Sequence, residues 1–317
     1  MAAPVDWNVE MHLPGQRRGR LQSAVLIVVL TGGLLTGAPA RADGPIEPGL
    51  VDPAIGALMP MPAPHVPYRG DLCRSGRPQC IDVTLTEMRR RLKPLARTCQ
   101  HDAVFALAYL RVTEDVKRAL KQGHFLDTVW LQQVDKVFAH LYFDTMDQWH
   151  DGRRGAVPEA WRIALRAEDA HAMTGIGNFL LAMNAHINRD FPHVLATAGL
   201  TAKNGRSHKR DHNAYNSRLD GLYHPVFAEE AQRFDPSFDD VDAGPIDEVV
   251  VGTIMRGWRE LVWRHAEMLV MAPSPALRIL VEREIEEYAA GQARMIRQMF
   301  ASPSSAARDA FCARARS

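Results

Sequence analysis

A buried helix that ends in polar side chains constrains the fold of this chain more than any other feature. Residues 170–183 read AHAMTGIGNFLLAM and offer almost nothing suited to a solvated face. A helix that is apolar nearly all round packs inside a protein. The next residues, 184–190, read NAHINRD. Because a buried polar group without a partner costs roughly 1–3 kcal/mol, these side chains predict either a polar network or a ligand site.

Helical spacing pairs these polar residues. Asn184 and Asn188 lie four apart, as do His186 and Asp190, so each pair shares a helix face. Asp190 is also expected near a helix C-terminus, where the macrodipole disfavours an anion. It therefore needs a positive partner: protonated His186, an arginine such as Arg189, or a metal ion. We interpret His186 and Asp190 either as acid/base or metal-binding residues, or as a structural hydrogen bond that pins the helix end.

A second HxxxD pair, His140 and Asp144, has the same spacing. This pair lies on a polar stripe of its helix, which favours a solvated position. If the two helices pack together, both pairs would supply a mixed nitrogen and oxygen ligand set that suits zinc or another divalent metal. The hypothetical metal site therefore comprises His186, Asp190, His140 and Asp144.

The other histidines give weaker indications of a functional site. His171 is expected on the helix of His186, but fifteen residues of helix separate them by about 22 Å, too far for one site. His265 lies among apolar residues and is interpreted as a core histidine. Residues 204–216 read NGRSHKRDHNAYN. They form either an exposed basic loop or an electropositive lip that attracts an anionic group.

The first 42 residues follow the order of a secretory signal peptide. Residues 17–20 read RRGR, an apolar run covers residues 24–35, and small residues extend to Ala42. The apolar run is short for a membrane span, although an uncleaved anchor is the alternative. We expect a secreted or cell-envelope protein with no transmembrane segment in the mature chain.

The even number of cysteines is consistent with an exported protein. There are four, and four cysteines allow three connectivities. We favour a Cys73–Cys80 bridge that closes a short turn and a Cys99–Cys312 bridge that ties the C-terminal tail to the body. The alternative, free thiols in a reducing compartment, fits badly with a signal peptide.

The remaining sequence predicts a single all-α, multi-helix domain. Residues 43–83 form a Pro/Gly-rich arm, and residues 84–317 read as helical, beginning with a possible capping box at Thr84 and Glu87. Such a length buries one large core. Helices are expected at about 102–122, 127–149, from 158, 170–190, 192–199, 212–234 with a bend at Pro225, 246–271 and 275–300.

Composition and motifs exclude some functions. The chain has 38 Lys and Arg against 37 Asp and Glu, so general nucleic-acid binding is not expected. GxSxG, Walker A, GxGxxG and HExxH patterns do not occur, which removes the commonest hydrolase and nucleotide-binding signatures.

Three segments together resemble a family of uncharacterised, often exported bacterial proteins with a motif close to NAHINRDLP. They are residues 101–114, 134–143 and 183–192, with Phe191 where the family more often shows Leu. The resemblance covers about residues 84–270. It implies a helical fold and a shared polar site, with a second polar motif at residues 211–216, but no reaction. The ligand-binding residues that we infer are Asn184, Asn188, Arg189, Asp211 and Asn216.

A looser similarity is to the zinc-dependent phospholipase C and single-strand nuclease class, which uses helical HxxxD pairs and an N-terminal Trp ligand. The expected mature start, residues 43–45, is Asp-Gly-Pro and lacks that Trp. The leading hypothesis is a metal-dependent hydrolase of anionic esters with His186 and Asp190 as catalytic residues. The alternative is a non-catalytic binding or envelope-associated protein in which the motif is a structural network.

Overall fold

The computed structural model describes residues 59–238 and 248–315, with only the backbone given for 248–251. The expected signal peptide and the first part of the arm lie outside these residues. The described part is helical and contains no β-strand, only two isolated bridges. The predicted all-α fold class is confirmed.

The helices follow one another with short connections. A π-helix at Ala185–Asp190, called here the π segment, joins α5 to α6, and 3₁₀ turns occupy Arg154–Ala156 and Pro236–Phe238. The α-helices of the described residues are α1 (Gln79–Thr98), α2 (Ala103–Lys121), α3 (Thr128–His150), α4 (Glu159–Asp169), α5 (Gly175–Asn184), α6 (Phe191–Ala198), α7 (Lys209–Ala214), α8 (Asn216–Asp220), α9 (Tyr223–Arg233), α10 (Glu248–Met271), α11 (Pro275–Met299) and α12 (Ala306–Ala315).

A central helix organises the packing. It consists of α5, the π segment and α6, and runs without a break from Gly175 to Ala198. Helices α2, α4 and α11 pack against α5, whereas α3 and α10 pack against α6. The π segment contacts α3, α4, α10 and α11. The NAHINRD motif therefore lies at the centre of the helical body.

The central helix begins later than the sequence predicted. Helix α4 ends at Asp169, and His171 adopts a left-handed conformation with φ 52°. Thr174 then caps α5 by accepting a hydrogen bond from the amide of Gly177. The expected helix start at residue 170 is wrong, and His171 does not lie on the helix of His186.

The first helix begins earlier than predicted. Helix α1 starts at Gln79, directly after the turn closed by the Cys73–Cys80 disulfide. Thr84 is buried inside the helix, where its hydroxyl donates to the carbonyl of Cys80. Glu87 pairs with Arg90 and Arg91 instead of capping the helix. The predicted capping box is therefore wrong.

Two further helices differ from the sequence prediction. The expected helix over 212–234 is divided into α7, α8 and α9, and Pro225 lies in the first turn of α9. Proline is tolerated there because the first amides of a helix have no intrahelical partner. Helix α12 was not predicted.

Both predicted disulfides are present. Cys73 bonds to Cys80, and Cys99 bonds to Cys312, 213 positions later in the chain. The second bridge attaches α12 to the C-terminal end of α1. Neither a free cysteine nor a helix suited to crossing a membrane is found among the described residues.

The described end of the arm packs on the helical body. The hydroxyl of Thr201 donates to the carbonyl of Ala63 at 2.7 Å. Gly199, which ends α6, has φ +87°, and a Cβ built there would lie 2.6 Å from the carbonyl oxygen of Val66. Only glycine combines this backbone conformation with such a close approach.

We predict that Gly199→Ala destabilises the protein through both backbone strain and a clash with the arm. The free energy of unfolding should fall by about 2–3 kcal/mol, measured by denaturant unfolding. Gly205→Ala is the matched control, because Gly205 has φ +81° but no atom within 4 Å of its built Cβ. It should cost only about 1 kcal/mol. Equal losses in the two variants would contradict the close packing of the arm.

Candidate functional site

The NAHINRD motif adopts a wide helical turn. The amide of Phe191 donates to the carbonyl of His186, five residues earlier. Pro192 has no amide hydrogen and therefore cannot close an α-helical bond to Asn188. Single π turns inside α-helices occur frequently at functional sites.

The two asparagines of the motif are used in structural hydrogen bonds. The side-chain amide of Asn184 donates to the carbonyl of Ala289 on α11 at 2.9 Å. The amide of Asn188 donates to the side-chain oxygen of Asn184, also at 2.9 Å. Both residues are buried. This half of the motif fastens the central helix to α11.

Asp190 is a fully buried carboxylate surrounded by donors. Its Oδ2 accepts from the indole of Trp161 at 2.8 Å and lies 3.3 Å from Nδ1 of His186. Its Oδ1 accepts from Arg189 at 2.9 Å, and Arg189 also pairs with Glu286. Burial raises the pKa of Asp190, but the hydrogen bond from His186 and the charge of Arg189 outweigh it and leave the pKa below its usual value. Asp190 is therefore ionised.

His186 is held as a neutral base. Because a carboxylate only accepts hydrogen bonds, Nδ1 carries the proton and donates a hydrogen bond to Asp190. The ring stacks on Phe138 with centroids 3.6 Å apart and an angle of 4°. Burial lowers the pKa of His186, although Asp190 opposes this effect. Nε2 is buried and has no hydrogen-bond partner within the described residues, so it offers a lone pair.

His186 lines an apolar cavity of about 150 Å³. The wall is built by the central helix together with α2, α3, α7, α8, α9 and α10. A cavity of this size takes a molecule such as benzene. Its aromatic lining includes Phe105, Phe125, Phe138, Phe179, Phe191 and Phe227.

The same wall carries polar atoms that no described residue satisfies. Because each unsatisfied buried atom costs roughly 1–3 kcal/mol, six in one wall indicate that the cavity accepts a polar group from outside the chain. These atoms are Nε2 of His186, Oδ2 of Asp135, Nδ1 of His212, Oγ1 of Thr113 and the hydroxyls of Tyr109 and Tyr223.

Asp135 complements His186. Burial raises the pKa of Asp135 to about 7, although the charge of Lys136 opposes the shift. A substantial fraction of this carboxyl is protonated near neutral pH and can donate a hydrogen bond. The Tyr109 ring lies 4.6 Å from His186, and Asp135 raises the pKa of its hydroxyl further after burial. An acid and a base with opposite pKa shifts therefore share one cavity.

The two HxxxD pairs are not brought together. His140 and Asp144 lie 3.4 Å apart, with side chains 45% and 48% exposed. The described residues form no cluster of potential metal ligands from these two residues with His186 and Asp190. Both oxygens of Asp190 already accept hydrogen bonds. The geometry therefore does not support the four-residue metal site expected from the sequence.

The other predicted ligand-binding residues lie near the cavity but act through protein contacts. Asp211 lines the cavity, and its two oxygens accept from the amides of Leu126 and Asp127 at 2.8 Å each. Asn216 accepts from Nε of Arg259, a buried lining residue, at 2.6 Å. Both residues position elements of the wall.

A different group, His101, His171 and Asp309, could offer three metal ligands. Their candidate atoms lie within 4.8 Å of one another. Asp309 lies 2.8 Å from His101 and 3.1 Å from His171. Burial, followed by the charge of Arg308, lowers the pKa of His101 to about 4, and this guanidinium opposes a bound cation. Hydrogen bonds already account for the cluster, which fastens α12 to the body beside the Cys99–Cys312 disulfide.

Sequence reasoning missed several residues of the cavity wall. Asp135, Tyr109 and Arg259 are the most important. Asp135 precedes Phe138 and Tyr142 by three and seven positions, so a carboxyl falls on the apolar stripe of α3. A charged residue on a buried helix face was the sequence signal that could have identified Asp135.

Comparison with known proteins identifies a family but no activity. No curated protein and no solved structure matches the chain. The sequence model of one family matches residues 81–299, which include the central helix and the cavity wall. The expected resemblance to an uncharacterised family is confirmed. Since the match covers more than half of the sequence, the chain belongs to DUF5995, a family of unknown function.

Proposed function

We propose that this protein is an exported acid–base enzyme acting on a small, largely apolar molecule that carries a carbonyl group. One observation carries the proposal. His186 presents an unpartnered, buried Nε2 at an apolar cavity while its Nδ1 is held by an ionised carboxylate. A histidine with one nitrogen fixed by a carboxylate is the usual arrangement of a general base.

His186 removes a proton from the bound molecule or from a water beside it. Asp190 keeps the proton on Nδ1 and stabilises the imidazolium ion that forms. Trp161 and Arg189 hold Asp190 in place through hydrogen bonds of 2.8 and 2.9 Å. The base is therefore oriented before a ligand enters.

Asp135 and Tyr109 supply donors for the carbonyl oxygen. As His186 takes a proton, negative charge develops on that oxygen, and a protonated carboxyl in an apolar site stabilises it. The raised pKa of Asp135 and the lowered pKa of His186 fit these opposite roles. The enzyme is thus most active in the pH range where His186 is neutral and Asp135 keeps its proton.

The proposed site would also hydrolyse esters, and it would do so without a metal bound to His186. His186, held by Asp190, can activate water for attack on an ester carbonyl in the same way that it removes a proton next to a carbonyl. The aromatic wall favours a substrate that is mainly apolar. A metal at Asp190 would have to displace donors from Trp161 and Arg189.

A second candidate function is a carrier that binds the same molecule without transforming it. The asparagine half of the motif favours this possibility, because Asn184 and Asn188 form a hydrogen-bonded link to α11. In a carrier, His186 would only accept a hydrogen bond from the ligand.

Export rests on two observations. Both disulfides suit an oxidising compartment. The signal-peptide pattern of the first 42 residues, which lie outside the described part, agrees with them.

We predict that His186→Gln strongly slows catalysis while ligand binding persists. The purified protein would be incubated in D₂O with a panel of small aromatic and aliphatic ketones and esters. NMR spectroscopy would follow deuterium exchange and hydrolysis. Removal of the base should lower the rate by about 10²–10⁴-fold, and Asp190→Asn should also lower it by disturbing the tautomer.

The exposed pair provides the matched control for this test. His140→Gln removes a histidine with the same HxxxD spacing but outside the cavity, and it should leave the rate unchanged. If wild type and His186→Gln react equally, the acid–base proposal is wrong. Ligands that bind wild type without any reaction would establish the carrier instead.

We predict that Asp135→Asn changes how stability depends on pH. The folded pKa of Asp135, about 7, exceeds the ordinary unfolded value. Its contribution to stability is therefore fully present below about pH 4 and is lost as pH rises to about 7. Relative to Asp135→Asn, wild type should lose about 3 kcal/mol across this window in urea unfolding.

Asp144→Asn is the control for this pH series, because Asp144 lies on the same helix but is half exposed. Its stability difference from wild type should change by less than about 1 kcal/mol over the window, because an exposed ion pair contributes little. An equally small change for Asp135→Asn would mean that Asp135 is not a buried, protonated acid.

A further inference from the structure

The cavity contains a buried cation at a site distinct from His186. Arg259, on α10, lines the cavity and is only 7% exposed. Its guanidinium donates from Nε to the side-chain oxygen of Asn216 at 2.6 Å and from Nη2 to the carbonyl of His212. Both acceptors are neutral. No carboxylate of the described residues pairs with Arg259.

A buried guanidinium without an anion is unusual. Charged side chains are rarely buried unless they are paired. The neighbouring charges already have partners. Lys209 pairs with Glu260 at 2.8 Å, and Asp211 accepts from two backbone amides. Arg259 therefore has positive charge that the described protein groups do not neutralise.

A second polar group lies beside this cation. The Tyr223 hydroxyl is buried, lines the same cavity and has no hydrogen-bond partner among the described residues. Its ring and Arg259 interact electrostatically, since the guanidinium opposes the burial that raises the pKa of Tyr223. A guanidinium and a phenol hydroxyl together form a donor set for a planar oxyanion.

Aromatic rings connect this site to His186. The Arg259 guanidinium lies 5.7 Å from the Phe191 ring, which stacks on Phe138 at 4.5 Å. Phe138 in turn stacks on His186 at 3.6 Å. A ligand that reaches both polar ends must therefore carry an apolar spacer along these rings. A volume of about 150 Å³ limits that spacer to one ring or a short chain.

We propose that the natural ligand is a small amphipathic carboxylate whose carboxylate group binds Arg259 and Tyr223. Its apolar part lies along Phe191 and Phe138, and its other end reaches His186. This inference rests on the proposed function, because it assumes that the cavity of His186 takes the ligand. It adds the substrate class: an aryl-alkanoic or short-chain alkanoic acid that is ionised at one end and carries the carbonyl group of the proposed reaction at the other.

Isothermal titration calorimetry with matched pairs of probes tests the inference. Phenylacetate would be compared with 2-phenylethanol, and hexanoate with hexanol, at about pH 7, where the acids are ionised. Wild type should bind each carboxylate at least about tenfold more tightly than its alcohol, as expected for hydrogen bonds to a charged group. Arg259→Gln should remove this preference, whereas Arg259→Lys should retain part of it.

Arg210→Gln is the matched control, because Arg210 is an exposed arginine on α7 that does not line the cavity. It should keep the full preference. Since Arg259 also holds His212 and Asn216, circular dichroism would check that Arg259→Gln folds. If it does not fold, Tyr223→Phe decides the matter: a severalfold smaller preference supports the inference, and an unchanged preference overturns it.

The outcomes separate this inference from the proposed function. Wild type that binds alcohols as tightly as carboxylates, or folded Arg259→Gln that keeps the preference, overturns the carboxylate inference alone. Wild type that binds none of the four probes counts against both the carboxylate and a cavity that accepts small apolar molecules.

Discussion

The buried carboxylate of Asp190 is the interaction on which the centre of this protein depends. It is fully buried, and an unpaired charge there would cost several kcal/mol. Donors from Trp161 on α4 and from Arg189 compensate for this cost, and Arg189 extends the network to Glu286 on α11. The carboxylate is therefore tolerated only when α4, α11 and the π segment are all in place.

The polar groups on the two sides of Asp190 differ in whether they have hydrogen-bond partners. Towards α4 and α11, Asp190 and Asn184 have hydrogen-bond partners. Towards the cavity, and among the described residues, Nε2 of His186 has no partner and Arg259 has only neutral acceptors. Unpaired polar groups that line a cavity are expected where a protein binds a ligand.

The features that could be predicted from sequence are those with a helical period or a pairing rule. The apolar run before Asn184 indicated a buried helix, and four cysteines after a signal-peptide pattern indicated two bridges. The cavity wall could not be predicted, because its polar residues come from separate helices and meet only through packing. Spacing alone also misleads, since His140 with Asp144 repeats the HxxxD pattern of the motif on an exposed face. A charged residue within an apolar stripe, such as Asp135, is the better guide to a site.

The position of the site relative to the family match bears on how general its chemistry is. The match covers residues 81–299 and so includes His186, Asp135 and Arg259. Three of the four cysteines, as well as α12 and the docked arm, lie outside it. Neither disulfide touches the cavity wall. The bridges therefore reinforce the periphery, while the acid, the base and the cation are properties of the helical body itself, and a reaction established for this protein would be a first hypothesis for its family.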